Sequence, residues 1–400
     1  MKKLLATILA LVMALGVTTL SWAGENDYVT IDGLVDENGL IHYETLTAAA
    51  KAWRESKSIV TSDGNFGSHP AELTEVESIV WTIHGTVDTG NGEGVIGSVN
   101  AAILSGGYIY PAVSIKKIVV KGEDNATITD SISAGKGNGF TYIGGFGADV
   151  TIEHVAFPAY AYANSQCKSI TFNNCKFEKG LKILQAAEVS VTNNTFTNDG
   201  TTDPALFVQN CTAEIKISGN NISGYMRGMN IQAGNDAVVT IDNNTISDLT
   251  DANKGSAIQL TSGKTFTVTN NTISNAPANA FRIYENCPAE SITINNNTIS
   301  AKYLCWNQGY DMSKVSSADN TCSIEVPGAC AVGGNEIAQS DFTINVKTVT
   351  PPRYYYNPTT DTKTDTTKGS PKTFDAGIGI YALTAVLSVT GMAWTAKKRH

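Results

Sequence analysis

The chain is poor in charged residues and in histidine. Only 16% of its 400 residues are charged, the formal net charge is −9, and there are 5 histidines. A negatively charged surface repels phosphate backbones, which argues against a nucleic-acid partner. His42, His69, His84 and His154 precede the main repeats described below, and His400 is the last residue. A general base on the repeats would therefore have to be a carboxylate or a lysine.

The seven cysteines lack the spacing of a metal site. None forms a C-x-x-C pair, and no histidine stands at ligand spacing beside them. We therefore predict no zinc site or other metal, and no cofactor. Some of the thiols should be small core residues. Cys322 and Cys330, close together in a turn-rich segment, are the best candidates for a disulfide.

The first 23 residues have the order of a secretion signal. Lys2 and Lys3 precede an apolar run from Leu4 to Val17, and small residues stand at Ser21 and Ala23. This order favours a signal peptide over 1–23, so we expect an extracellular protein. The alternative is a buried N-terminal helix.

A second apolar run, residues 376–396, ends at the three cations 397–399. At about 1.5 Å per residue it is long enough to cross a hydrocarbon core of roughly 30 Å. Basic residues hold such a tail on the cytoplasmic side. We therefore predict a transmembrane helix over 376–396, since a buried core helix would not explain the terminal cations.

The pentapeptide before this run resembles the sorting signals of sortase substrates. It reads Ser370, Pro371, Lys372, Thr373 and Phe374, where the usual family pattern is LPXTG. The resemblance covers residues 370–400 and implies that a sortase-like transpeptidase cuts after Thr373 and joins the chain to the cell wall of a Gram-positive-type bacterium. Retention as a single-span membrane protein is the alternative. Residues 350–369 are Thr- and Pro-rich with almost no aliphatic side chains, which predicts a disordered stalk.

One template of eight residues recurs through the middle of the chain. Its first, third and eighth residues are apolar, and the starts are 19 to 27 residues apart. A less perfect copy, VTIEHVAF at Val150, opens the series. The main repeats are ITFNNCKF at Ile170, VSVTNNTF at Val189, IKISGNNI at Ile215, VTIDNNTI at Val239, FTVTNNTI at Phe266 and ITINNNTI at Ile292. Alternating apolar residues predict a strand with one face inward, and the variable spacing fits a solenoid whose loops differ in length.

Five copies carry Asn at the sixth position: Asn194, Asn220, Asn244, Asn271 and Asn297. We expect these side chains to stack in register and to exchange amide hydrogen bonds along the axis. Asn also tolerates the left-handed backbone conformation that a sharp bend needs.

These segments resemble the right-handed parallel β-helix family, the pectate-lyase-like solenoids with N-N-x-[IF] turns. The resemblance covers about residues 115–310 and implies an all-β solenoid. We place the solenoid at 78–349, with its last strands at Thr321–Val326 and Asp341–Val349, and an N-terminal strand and capping-helix region at 24–77. The helix is predicted over Tyr43–Trp53 from apolar residues at i, i+3, i+4 and i+7. A leucine-rich repeat and a β-propeller fit the pattern less well.

The resemblance also brings polysaccharide lyases and glycosidases into consideration. The ordered N-T-D, D-D, G-H-G and R-x-K motifs of a polygalacturonase-type hydrolase are not present, so we predict no catalytic residue. A calcium-dependent lyase would need carboxylates on one face beside a basic residue. Such residues here fall mostly in turns, where solvated charges are the ordinary case. They are Asp199, Asp203, Asp236, Asp248, Asp251, Arg227, Arg282 and Glu285.

Aromatic residues of the C-terminal half suggest a carbohydrate groove. Flat rings on a solenoid face stack on sugar rings, and we select Tyr284, Arg282, Tyr225 and Trp306 as ligand-binding candidates. The favoured function is a monomeric, wall-anchored surface protein that binds a polysaccharide or a host surface. The alternatives are a surface carbohydrate-active enzyme and a passive spacer.

Overall fold

A computed structural model describes residues 26–56, 74–89, 95–96, 103–104, 107–108, 113–129, 140–143, 147–164, 167–326 and 342–344. The predicted signal peptide, stalk, sorting signal and membrane span lie outside these residues. Within the described residues, no helix has the length and apolar character needed to cross a membrane.

The repeats form a coil of parallel strands, as the sequence predicts. Each turn of the coil contributes strands to three stacks, and each strand pairs in parallel with its counterparts one coil away. The first stack contains Asp149–Glu153, Ser169–Asn173, Glu188–Thr192, Glu214–Ser218, Val238–Asp242, Thr265–Thr269, Ser291–Asn295 and Val315–Ala318. The second contains Ala156–Phe157, Lys176–Phe177, Thr195–Thr197, Asn221–Ser223, Thr245–Ser247, Asn320–Ile324 and Phe342–Ile344. The third contains Val95–Ile96, Phe140–Ile143, Tyr160–Asn164, Leu181–Leu184, Leu206–Gln209, Met229–Gln232 and Ser256–Ser262.

Four long strands bend from one stack into the next. Thr74–Asp88 and Val113–Thr129 run through the first and second stacks, whereas Thr272–Ile283 and Thr298–Asn307 run through the second and third. Two short hairpins, Val35–Asp36 with Gly39–Leu40 and Ile103–Leu104 with Gly107–Tyr108, are antiparallel, and a 3₁₀ turn occupies Met312–Lys314.

The inward positions of the template make one continuous apolar core. In the first stack Val150, Ile170, Val189 and Ile215 follow one another in register and are 0 to 3% exposed. The intervening side chains point outward, as the alternating burial of each strand shows. The two-residue alternation in the sequence therefore becomes a hydrophobic column along the axis.

The bend between the first and second stacks divides two roles between adjacent residues. The residue with the left-handed backbone is the fifth of the template, for example Asn243 with φ 54° and Gly219 with φ 68°. The ladder Asn is the sixth. The first residue of the Asn-Asn pair therefore takes the left-handed conformation, and the second points inward to the ladder. The other fifth-position residues with positive φ are His154, Asn174, Asn193, Asn270, Asn296 and Asp319.

The sixth-position side chains form a buried ladder of amides. From Asn220 onward, each side-chain oxygen accepts hydrogen bonds from the backbone N–H and the side-chain amide one coil earlier, as Asn244 does from Asn220 at 3.0 and 2.8 Å. The ladder runs through all five Asn named from the sequence and continues one coil further, to Asn320. At the other end the backbone N–H of Cys175 donates to Asn194 at 2.8 Å.

The coil also continues beyond the point where the repeat pattern decays. Val315–Ala318 pairs with Ser291–Asn295, and Asn320–Ile324 pairs with the start of Thr298–Asn307. The strands predicted at Thr321–Val326 and Asp341–Val349 are described as Asn320–Ile324 and Phe342–Ile344. The repeat that starts at Val315 is not among the copies found in the sequence, because its third residue is Ser317 and its eighth is Cys322, and neither is aliphatic.

The described N-terminal region adds one helix, Leu46–Ser56, which begins three residues later than predicted. Leu46, Ala49 and Trp53 are buried, and Thr47 Oγ1 donates to the backbone oxygen of Thr89 at 2.6 Å. The strand Tyr28–Ile31 pairs antiparallel with Thr74–Asp88.

All six described cysteines are buried, and Cys322 is a free thiol. The six are Cys167, Cys175, Cys211, Cys287, Cys305 and Cys322. The predicted disulfide between Cys322 and Cys330 is therefore wrong. Cys322 takes the eighth, inward position of its coil above Ile299, where its side chain is packed in the core. Cys330 lies outside the described residues.

Candidate functional site

A line of outward-facing residues runs along the third stack, one from each coil. Strand register places Tyr162, Lys182, Phe207, Asn230, Gln259, Arg282 and Trp306 on top of one another in that order. We call these seven residues the axial column. Their neighbours on either side along each strand, such as Phe281 and Ile283 beside Arg282, point inward and are fully buried. The alternation of Arg282 with inward residues is as predicted.

Near the C-terminal end of the axial column, the cationic side chain of Arg282 contacts two aromatic rings. The guanidinium carbon of Arg282 lies 4.0 Å from the centre of the Trp306 ring and 4.6 Å from that of Tyr284. Both rings are partly exposed. We call Arg282, Tyr284 and Trp306 the C-terminal cluster. The structure thus brings together three of the four residues selected from the sequence.

Arg282 has no carboxylate partner among the described residues. It is 9% exposed, and its Nε is buried without a hydrogen-bond partner. Burial, together with the nearby positive charge of Arg227, lowers the pKa of the Arg282 guanidinium. Both effects oppose a charge at this position, whereas the faces of the two rings favour it. The guanidinium is therefore held in place by aromatic contacts and its charge is left uncompensated.

Arg227 has the opposite environment. Its Nε and Nη2 donate to the two carboxylate oxygens of Asp203 at 2.5 Å each, and its Nη1 donates to Gln259 Oε1 at 3.2 Å. The Asp203 hydrogen bonds raise the pKa of Arg227. The charge of Arg227 is thus compensated by Asp203, whereas Arg282 has no such partner among the described residues.

Tyr225 does not belong to the site. It is fully buried, and its hydroxyl donates to the backbone oxygen of Phe177 at 3.0 Å. The prediction of Tyr225 as an exposed ligand-binding ring is wrong because its ring fills the interior of the coil. Burial raises the pKa of its hydroxyl above the usual range of tyrosine.

The carboxylates considered for catalysis do not converge. Within the residues that the structure describes, no group of three or more His, Cys, Asp and Glu side chains could hold a metal ion. Asp199 accepts from the Thr201 hydroxyl at 2.5 Å within its own turn, which lowers the pKa of that carboxyl. Asp251 likewise accepts from the backbone N–H groups of Asn253 and Lys254. The carboxylates of Asp199 and Asp251 therefore stabilise the turns in which they lie.

Five members of the axial column were not selected from the sequence: Tyr162, Lys182, Phe207, Asn230 and Gln259. The available indication was the alternation within Leu181–Leu184 and Leu206–Val208, which places the second residue of each stretch outward. Sequence alone does not show which outward residues share one line, because loops of different length separate them.

Residues 159–342 match the family model described as "Right handed beta helix region". No curated protein and no solved structure matches the chain. The matched residues cover the coils from Tyr160 to the last described strand, which are the coils that carry the ladder and the axial column. The strand pairing and this match together identify the fold as a right-handed parallel β-helix.

Proposed function

We propose that the protein is an exported bacterial surface protein, attached to the cell wall by its C-terminus, that binds a glycan at the C-terminal cluster. The observation that carries the binding proposal is Arg282, a nearly buried cation held between two partly exposed rings without an acid partner among the described residues. Rings of this kind stack on sugar rings, and a guanidinium binds carboxylate or sulfate through two parallel hydrogen bonds. The cluster therefore favours a glycan with acidic groups.

The binding proposal is tested with the full-length chain and three probes that differ in charge. We expect binding to hyaluronan, which is carboxylated, or to heparin, which is sulfated, and weaker binding to neutral dextran. Arg282→Gln should weaken binding by about tenfold or more, because a hydrogen bond to a charged group contributes roughly 1.5–3 kcal/mol. Affinity is measured by calorimetry or biolayer interferometry.

Lys216→Gln is the matched control. Lys216 is an exposed, outward residue of the first stack, so this variant removes the same charge from a different face. Equal affinities for the Arg282→Gln and Lys216→Gln variants would show that net charge alone governs binding and would refute the site. Release of unsaturated or reducing ends from any probe would instead favour the carbohydrate-active enzyme.

The anchoring proposal is supported by the order of the pentapeptide 370–374, the apolar run 376–396 and the basic residues 397–399. Thr373→Ala should stop covalent attachment, because a sortase-like enzyme would have to recognise the Thr373 side chain before it transfers the carbonyl of residue 373 to the wall. We expect the wild-type chain to be released only by digestion of the peptidoglycan and the variant to be extracted by detergent. Detergent extraction of the wild-type chain would show a retained membrane protein.

A further inference from the structure

A second group of one cation and two aromatic residues lies near the start of the axial column. Lys182 lies between Tyr162 and Phe207, one coil from each. Its Nζ is 5.5 Å from the centre of the Tyr162 ring and 4.9 Å from that of Phe207. All three side chains are partly exposed. We call them the N-terminal cluster.

The N-terminal cluster repeats the arrangement of the C-terminal cluster. In each, a cation is in contact with two aromatic rings on the outward face, and neither Lys182 nor Arg282 forms an ion pair with a carboxylate among the described residues. A single exposed Phe or Lys would need no explanation. Here two clusters on the same stack of strands each combine a cation with two aromatic rings, in a chain with net charge −9. This repetition favours one ligand that contacts both clusters.

The two clusters lie on a straight path along the axis of the coil. Lys182 and Arg282 are separated by four parallel strand-to-strand steps through Phe207, Asn230 and Gln259. At about 4.8 Å a step, the two cations are roughly 19 Å apart. The side chain of Asn230 is partly exposed between them, and it offers amide hydrogen bonds to a ligand that crosses this gap. A linear polymer fits this spacing, whereas a single terminal sugar reaches only one cluster.

We propose that the N-terminal cluster is a second sugar-stacking subsite, and that the ligand is a linear polysaccharide lying along the axial column and occupying both clusters at once. This inference rests on the proposed glycan-binding function. Because one chain joins the two contacts, binding at the second cluster becomes intramolecular and strengthens the first.

The experiment measures affinity against ligand length. Hyaluronan and heparin are cut into size-defined fragments, shorter and longer than the span of roughly 19 Å between the cations. We expect long fragments to bind the full-length chain at least about tenfold more tightly than short ones, as linked contacts do. Dissociation constants that do not change with length overturn the inference.

Variants of the N-terminal cluster test the same point. Phe207→Ala and Lys182→Gln should each lower the affinity for long fragments towards that of short ones and leave the affinity at the C-terminal cluster for short fragments unchanged. Lys216→Gln should change neither. Because Phe207→Ala removes a large side chain, its thermal unfolding is compared with wild type, and Lys182→Gln keeps the test valid if Phe207→Ala does not fold.

The two proposals fail in different ways. If long fragments bind and Arg282→Gln weakens them, but Phe207→Ala and Lys182→Gln do not, the second subsite is wrong and the glycan-binding function stands. If no fragment of any length binds, both are wrong. If Arg282→Gln leaves binding intact while the N-terminal variants abolish it, the linear path across both clusters is refuted.

Discussion

The amide ladder should make one substitution unusually costly. Asn244 is 1% exposed, and its Oδ1 accepts from both the backbone N–H and the Nδ2 of Asn220. Its own Nδ2 donates to Ile217 O and to Asn271 Oδ1, each at 2.9 Å. Asn244→Ala therefore leaves the backbone N–H and Nδ2 of Asn220 without this acceptor. It also leaves Ile217 O and Asn271 Oδ1 without this donor.

The magnitude follows from the groups left behind. The backbone N–H of Asn220 has no other acceptor within the ladder, whereas its Nδ2 still reaches Val191 O at 2.8 Å. An unsatisfied buried polar group costs about 1–3 kcal/mol, so with the lost donations we expect the free energy of unfolding to fall by roughly 3–5 kcal/mol.

Two further substitutions calibrate this value. At the end of the ladder the Oδ1 of Asn194 accepts from the Cys175 N–H alone, so Asn194→Ala should cost less than Asn244→Ala. Asn243→Gly is the matched control, because Asn243 is exposed and its φ of 54° suits glycine, so we expect a change below about 1 kcal/mol.

The assay is urea unfolding of the three variants and wild type, followed by circular dichroism, with the slope compared as well as the midpoint. The expected order of destabilisation is Asn244→Ala, then Asn194→Ala, then Asn243→Gly. If Asn244→Ala and Asn243→Gly unfold at the same urea concentration, the ladder does not stabilise the coil and the reasoning is refuted.

Two other predictions concern close packing and buried thiols. A Cβ at Gly228 would lie 2.3 Å from Ala257 O, so Gly228→Ala should lower the free energy of unfolding by about 2–4 kcal/mol. Gly234→Ala should lower it less, because the nearest atom to a Cβ at Gly234 is 3.1 Å away. Equal midpoints of urea unfolding for the two variants would contradict this. Burial raises the pKa of the Cys175 and Cys322 thiols to about 12, so neither should react with a disulfide reagent at about pH 8 until urea unfolds the chain. In the unfolded chain the pKa of a thiol is about 8.5. The raised pKa in the folded chain therefore stabilises the fold fully below that pH, and this stabilisation is lost as pH rises towards 12. Fast reaction of the native thiols would show that they are accessible.

The residues of the candidate site interact between coils, and for this reason the function is harder to predict from the sequence than the fold. Asp203 and Arg227 belong to different coils and meet only because their strands are stacked, and the same stacking sets Arg227 against Gln259. The charge of Arg227, which lowers the pKa of Arg282, likewise acts from a different coil. Properties of this kind depend on register rather than on any local motif.

The sequence by itself determined the fold and its internal ladder. Apolar residues at fixed positions specify which side chains point inward, and the recurring Asn specifies the turn, because both depend on neighbours within one coil. Asn320 was not assigned to the ladder, because Ser317 and Cys322 stand where the template has aliphatic residues.

Only the tertiary structure decided which outward residues share a surface. It brought Arg282 against Trp306 and Lys182 between Tyr162 and Phe207, and it placed Tyr225 inside the coil instead of on the face. The physical reason is that loops of variable length separate these residues along the chain. The register of one coil on the next is fixed by hydrogen bonds and core packing that form only when the whole solenoid is assembled.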